Sequence, residues 1–181
     1  MTNITIQRVD GVKSLLLGGL IQSVYPPQKG YWERMLPNFV PEKALVLGVG
    51  GGTVCRLLLD KFPDVGITGV DISEATIHAA IEHMNLGEVR MKLHITDAFD
   101  FVMTDSNKYD LIIIDLFDGY LFPLRVFANS FIVACKKLLN KGGQLIINTP
   151  NIDWAAMAQL PRAKRDVQES NVIYSWGFSK K

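Results

Sequence analysis

The feature that most constrains this chain is Gly48-Val49-Gly50-Gly51-Gly52-Thr53, which directly follows the apolar run Ala44–Leu47 and opens a helix-like stretch, Val54–Lys61. Glycines there let the backbone turn sharply and approach a ligand, and a helix N-terminus adds N–H groups and positive potential. Strand, glycine loop and helix in that order form the opening unit of a doubly wound α/β sheet. The spacing is Gly-x-Gly-x-Gly, with Thr53 where a dinucleotide fingerprint carries its last glycine. Alone, such a loop is weak evidence, since a tight turn of no functional meaning is its alternative reading. The rest of the chain has to decide.

From Lys43 onward, apolar strand-like runs occur at Ala44–Leu47, Val65–Val70, Val89–Ile95, Leu111–Ile114 and Gln144–Ile147. Helix-like stretches separate them at Val54–Lys61, Glu74–Met84, Ala98–Met103 and Leu124–Leu139. Ser73 is placed to cap the second helix, and Gly142-Gly143 is expected to close the last one with a left-handed C-cap. Asp153–Ala163 reads as helical, and Asn171–Phe178 as a final strand carrying Trp176 and Phe178 into the core. Buried β-branched runs alternating with helices predict a mainly parallel sheet covered on both faces. Ahead of it, Ile4–Val9 and Lys13–Leu17 flank Asp10-Gly11, a hairpin signal, and Leu20–Val24 offers a third strand. Pro26-Pro27 stops that pattern, and Tyr31–Leu36 has room for one or two helical turns. Residues 1–40 are thus expected to form a small β appendage on a domain spanning 41–181.

Composition narrows the partners. With 19 basic and 18 acidic residues the net charge is +1, which gives no bulk attraction to nucleic acid or an anionic membrane. No apolar run is long enough to span a bilayer, and the start, MTNITIQRVDG, lacks the pattern of a secretory signal. A cytoplasmic protein is expected, and a homodimer is compatible with it. Cys55 and Cys135 read as buried free thiols, and His78, His83 and His94 show no metal-ligand spacing.

Three further strand ends carry carboxylates. Asp71 closes the second strand, at a distance from the glycine loop that suits an acceptor for both hydroxyls of a ribose, with Ile72 beside it. Asp97, followed by Ala98, ends the third strand. It can accept from an adenine amino group, cap the next helix, or do both. Asp115 and Asp118 follow the fourth strand, where one or both can orient an amine nucleophile or take its proton. In a doubly wound sheet these ends share one crevice.

On these residues the chain resembles the spermidine synthase-like branch of the class I methyltransferase folds. The segments are Val46–Arg56, Val70-Asp71-Ile72, Asp97-Ala98 and Ile114–Gly119, joined by Leu17-Gly18-Gly19, Gln22 and Tyr31-Trp32-Glu33. The resemblance implies a Rossmann-like domain in which Gln22, Gly48, Gly50, Gly51 and Gly52 contact an adenosyl cofactor. Asp71 would then hold its ribose, Asp97 its adenine, and Asp115 would lie beside the reacting centre.

The departures from that family bear on the reaction. Aminopropyltransferases of this type carry an acid at the position of Gly51, an Asp-Glu pair where this chain has Pro26, Pro27 and Gln28, and a His at the position of Trp32. A glycine loop without an acid suits S-adenosylmethionine itself, whose carboxylate would meet backbone N–H groups. The expectation from sequence is therefore an S-adenosylmethionine-dependent methyltransferase, with Asp115 as first and Asp118 as second proton acceptor. Its acceptor, a small-molecule amine or a protein, is unspecified. The alternatives are aminopropyl transfer from decarboxylated S-adenosylmethionine and, given the short stretch after Pro150, a cofactor-binding or interaction module without catalysis.

Overall fold

The computed structural model of the chain describes residues 3–119, 121–150, 160, 162–168 and 171–177. Strands β1 (Ile4–Val9), β2 (Val12–Leu17) and β3 (Leu20–Tyr25) form an antiparallel three-stranded sheet. Asp10 and Gly11, with φ of 49° and 80°, make its first turn, as the sequence predicts. A short 3-10 turn, Trp32–Met35, follows.

The α/β part comprises β4 (Lys43–Leu47), α1 (Thr53–Lys61), β5 (Gly66–Asp71), α2 (Glu74–Met84), β6 (Met91–Ile95), α3 (Ala98–Thr104) and β7 (Tyr109–Ile114). It ends with α4 (Asn129–Leu138), β8 (Leu139–Pro150), β9 (Lys164–Gln168) and β10 (Asn171–Gly177). The sheet order is β6-β5-β4-β7-β8-β10-β9. Pairings from β6 through β8 are parallel, while β10 runs antiparallel to both β8 and β9. The chain builds outward from β4 to β6, then returns to place β7 on the other side of β4. That reversal puts the topological switch point between β4 and β7, where a crevice opens.

Side chains alternate across this sheet with the two-residue period of a strand. Leu45, Leu47, Ile112, Ile114, Leu145, Ile147, Val172 and Tyr174 face the layer of α3 and α4. Ala44, Val46, Leu111, Ile113, Ile146 and Ile173 face α1, α2 and the N-terminal sheet. Leu15, Leu17 and Met35 join that second core, so the N-terminal sheet is packed onto the α/β layer. Cys55 and Cys135 are free and buried in opposite cores.

Several boundaries differ from the sequence reading. The predicted strand Val89–Ile95 begins only at Met91, after a 3-10 turn at Leu86–Glu88. The predicted helix Leu124–Leu139 divides into a 3-10 turn, Leu124–Phe127, and α4, with Ala128 extended between them. Gly142-Gly143 is not a helix C-cap. β8 starts at Leu139 and runs through both glycines, with Gly142 at φ 86°. The segment after Pro150 contains an unpredicted strand, β9, so a strand–strand ending fits where little room was expected. Residues 153–159 and 161 of the predicted helix Asp153–Ala163, and Phe178, lie outside the described residues. Among the described residues no helix is long and apolar enough to cross a membrane.

Candidate active site

The carboxyl ends of β4, β5, β6, β7 and β8, with β3 and the segment around Tyr31 above them, enclose an open cleft of about 1410 Å³. Gln22, Gly48, Gly50, Asp71, Ile72, Asp97, Ala98, Asp115 and Asp118 all line it, so four strand ends and the N-terminal sheet meet as their spacing predicted. Ile72, at 67% exposure, offers an apolar ledge between Asp71 and the solvent. Gly48 sits at the switch point with φ 93°. A Cβ there would lie 2.0 Å from the carbonyl oxygen of Asp115, so only glycine fits.

Gly51 and Gly52 are placed otherwise. A Cβ on Gly51 would meet Ser23 Cβ at 2.7 Å and Met84 Sδ at 2.8 Å, and one on Gly52 would meet Leu86 at 2.5 Å. Gly51 backs onto β3 and α2, Gly52 onto Leu86 and Arg56, and neither lines the cleft. Arg56, buried on α1, donates to the Gly51 carbonyl at 2.6 Å and to that of Met84, and stacks on Tyr25. Thr53, the residue in place of the fingerprint's last glycine, exchanges hydrogen bonds with Val24 N–H (2.8 Å) and carbonyl (3.0 Å). These contacts pin β3 over the glycine loop.

The loop's own amides are spent inside the protein. Gly48 N–H donates to the Val70 carbonyl and Gly52 N–H to that of Val49. Val49 N–H (3.0 Å) and Gly50 N–H (2.8 Å) donate to Asp71 Oδ2, and Gly51 N–H donates to Ser23 Oγ at 2.8 Å. Asp71 Oδ1 also accepts from Ser73 N–H at 2.9 Å. Asp71 therefore braces the loop as well as facing the cleft, and roughly one of a carboxylate's four acceptor positions remains for a ligand. The expected nest of free N–H groups for a ligand carboxylate is absent from residues 48–52.

Asp97 does cap a helix: its Oδ1 accepts from Phe99 N–H at 2.7 Å. Its Oδ2 accepts from Arg125 at 2.7 Å, and that guanidinium stacks 3.7 Å over the Phe99 ring. Burial raises the Asp97 pKa, yet the Phe99 amide and Arg125 together hold it below the ordinary value.

Asp115 anchors a second polar group. Its Oδ1 accepts from Asn148 Nδ2 at 2.7 Å, and Asn148 Oδ1 accepts from Tyr31 Oη–H at 2.7 Å and from Asn171 at 3.2 Å. Asn171 also donates to Tyr31 Oη at 2.7 Å. Burial pushes the Asp115 carboxyl up to about 6, the Asp71 charge adds to this, and the bond from Asn148 opposes it. Burial, then the Asp115 charge, push the Tyr31 hydroxyl up to about 12 against the two amide bonds. A carboxylate poised near 6 with one oxygen held by an amide is a competent proton acceptor. Asp118 is exposed at the mouth, where its backbone pairs with Leu121 to turn the loop.

Sequence reasoning passed over Asn148, Asn171 and Arg125. Asn148 had a signal: it is the first residue beyond the predicted strand Gln144–Ile147, at the sheet edge where ligands gather. Neutral amides without a motif carry no other mark.

The model of a methyltransferase domain matches residues 41–180. The chain belongs to that family, on its spermidine synthase-like branch. A polyamine aminopropyltransferase from Korarchaeum cryptofilum is 30% identical over 174 residues, covering 89% of this chain and 54% of that protein. One from Bacillus subtilis is 28% identical, covering 86% and 59%. The chain thus spans little more than half the length of these relatives. Spermidine synthase from Thermotoga maritima has the same fold, with a TM-score of 0.74 at 20% identity, covering 98% of this chain and 69% of that one. These names correct the expectation of methyl transfer. The relatives are polyamine aminopropyltransferases, and the domain's family name describes a fold shared with them.

Proposed function

We propose that this chain binds an S-adenosylmethionine-related ligand in its decarboxylated form and transfers the aminopropyl group to an amine. The observation that carries this is the glycine loop, whose five amides donate to Val70, Asp71, Ser23 and Val49 instead of facing a ligand anion. A donor with a carboxylate would leave that charge desolvated and unpaired, at a cost of several kcal/mol. A donor without it brings only positive groups, a sulfonium and an ammonium, to a cleft lined by Asp71, Asp97, Asp115 and Asp118. The two arginines on the lining, Arg34 and Arg125, each already hold an aspartate.

In this reading the adenosine lies over β4–β6, with its base toward Asp97 and its ribose toward Asp71 and Ile72. Gln22, on β3, contacts it from above. Asp115 stands at the switch point and receives the proton of the attacking amine. A C–N bond forms at the methylene next to sulfur as the C–S bond breaks, and sulfur leaves as a neutral thioether. Most of the rate comes from alignment and from exclusion of water.

Calorimetry with the two forms of the ligand tests the reading. The decarboxylated form should bind at least about tenfold more tightly, a difference of ~1.4 kcal/mol. Tighter binding of S-adenosylmethionine overturns it.

A further inference from the structure

Arg125 follows Asp97 by 28 residues in sequence and stands beside it in the cleft. It sits on the 3-10 turn Leu124–Phe127, whose Val126 and Phe127 are buried in the core under α3 and α4. With those two residues turned inward, Arg125 is left exposed on the cleft side, and its guanidinium reaches back to the start of α3. Two contacts hold it there. Nη2 donates to Asp97 Oδ2 at 2.7 Å, and Cζ stands 3.7 Å over the centre of the Phe99 ring. Phe99 is itself backed by Phe131 of α4, with ring centroids 4.4 Å apart. A cation seated on a ring face and tied by a short bond to a carboxylate has little freedom to swing.

An ionised carboxylate only accepts hydrogen bonds, and a guanidinium only donates them. Side by side on the lining, Asp97 and Arg125 present an acceptor next to a donor. That is the pattern by which a single amide side chain reads adenine, through its 6-amino group and a neighbouring ring nitrogen. Adenine carries an acceptor nitrogen on each side of its amino group, N1 and N7, so either edge complements the pair. Asp97 already accepts from the Phe99 and Asp100 amides and from Arg125, which leaves roughly one of a carboxylate's four acceptor positions for the amino group. The bond to Asp97 uses one of the guanidinium's five N–H groups. We propose that Arg125 is a specificity-determining residue for the donor, giving a hydrogen bond to the ring nitrogen beside the amino group that Asp97 accepts from. This rests on the reading above, which sets the base toward Asp97.

The probe is 5′-methylthioadenosine, the neutral thioether that aminopropyl transfer leaves behind. Calorimetry on the full chain compares it with its 1-deaza and 7-deaza analogues, each of which replaces one ring nitrogen by C–H. At least one analogue should bind wild type at least about tenfold more weakly than the parent thioether, since it leaves a charged donor unmatched. In Arg125→Met, which keeps an unbranched side chain over Phe99, the parent should weaken by a similar factor. That analogue's penalty should then shrink to about twofold or less. Arg125→Leu should behave alike, and serves where the Met variant does not fold. No penalty for either analogue in wild type overturns the inference. A penalty that survives in the variants also overturns it and makes Arg125 a packing residue. Both results leave aminopropyl transfer standing. Failure of the parent thioether to bind wild type overturns this inference together with the reading it rests on.

Discussion

Asn148 donates its side-chain amide to Oδ1 of Asp115 at 2.7 Å, and so fixes which oxygen of that carboxylate is left to face a ligand. The bond spans adjacent parallel strands, β7 and β8, at their carboxyl ends. Asn148→Leu keeps the branched four-atom side chain and removes the donor. Because that bond lowers the Asp115 pKa, its loss should move the acid limb of the pH–rate profile upward from about 6. A pH profile of thioether release measures this. An unmoved inflection with a reduced rate would make Asn148 a packing residue only.

Asp115 should cost stability in proportion to its ionisation. Its folded pKa, about 6, lies above the ordinary 3.8, so the folded state binds the proton more tightly. Stability therefore falls as pH rises from about 4 to 6 and stays level above that, by at most about 3 kcal/mol. Asp115→Asn keeps the acceptor for Asn148 and removes the charge. It should melt higher than wild type at pH 8, by several degrees, with a smaller gap at pH 5. Its activity should fall by on the order of 10²–10⁴. Equal melting curves at both pH values would show that Asp115 is not held out of water.

The strands of the parallel sheet and the four carboxylates were legible because each rests on a local rule. Apolar runs of β-branched residues mark buried strands, and ligand groups gather at their ends. What stayed hidden depends on partners far away in sequence. Nothing near Asp71 announces that Val49 and Gly50 will donate to it, and nothing near Gly51 announces Ser23. That pairing changed the inference about the ligand, since a glycine loop reads as an anion site only while its amides are free. Gly142-Gly143 misled for a related reason. Glycine after a helical pattern usually ends it, but here β7 draws Leu139 onward into the sheet, with Tyr109 opposite Leu139 and Leu111 opposite Gln144. The register slips between those two pairs, and the glycines fall within the slip.

Asp71→Ala should damage the loop together with the ligand site, contrary to the expectation for a strand-end carboxylate that only faces a crevice. Three backbone N–H groups lose their acceptor. Hydrogen bonds to a charged group are worth roughly 1.5–3 kcal/mol each at most, less where water can replace the acceptor. A net loss of about 2–4 kcal/mol in urea unfolding is expected, along with loss of adenosyl binding by calorimetry. Weakened binding at full stability would restore the simpler role.

Asp97→Asn separates the cap from the charge. An Asn oxygen can still accept from Phe99 N–H, so the helix start should survive, and the exposed pair with Arg125 is worth about 1 kcal/mol or less. The melting temperature at pH 7 should change by only a few degrees, while affinity for adenosyl ligands falls. The Asp97 pKa is held below its ordinary value, so its contribution is present above about pH 4 and is lost as pH drops further. Wild type should therefore lose more stability than the variant between pH 4 and pH 2. Parallel curves there would remove the charge from the stability of this corner.

Gly51→Asp tests the resemblance most directly, because the family's aminopropyltransferases carry their loop acid at this position. Read from sequence, the substitution would add a carboxylate beside the donor's ammonium and favour the decarboxylated form. The structure gives a different outcome. A Cβ at Gly51 meets Ser23 Cβ at 2.7 Å and Met84 at 2.8 Å, between β3 and α2, and Gly51 itself does not line the cleft. The backbone there is not left-handed, so strain comes from packing alone. Met84 can swing its sulfur aside, but Ser23 belongs to β3 and holds the Gly51 amide. Moving it loosens the contact that keeps the N-terminal sheet over the loop. Overpacking of this kind costs roughly 1–3 kcal/mol. The variant should melt lower and bind both forms of the ligand more weakly, by similar factors. A selective gain for the decarboxylated form at unchanged stability would mean that the loop turns its 51st residue toward the ligand, and that the amides counted as spent are free to rearrange.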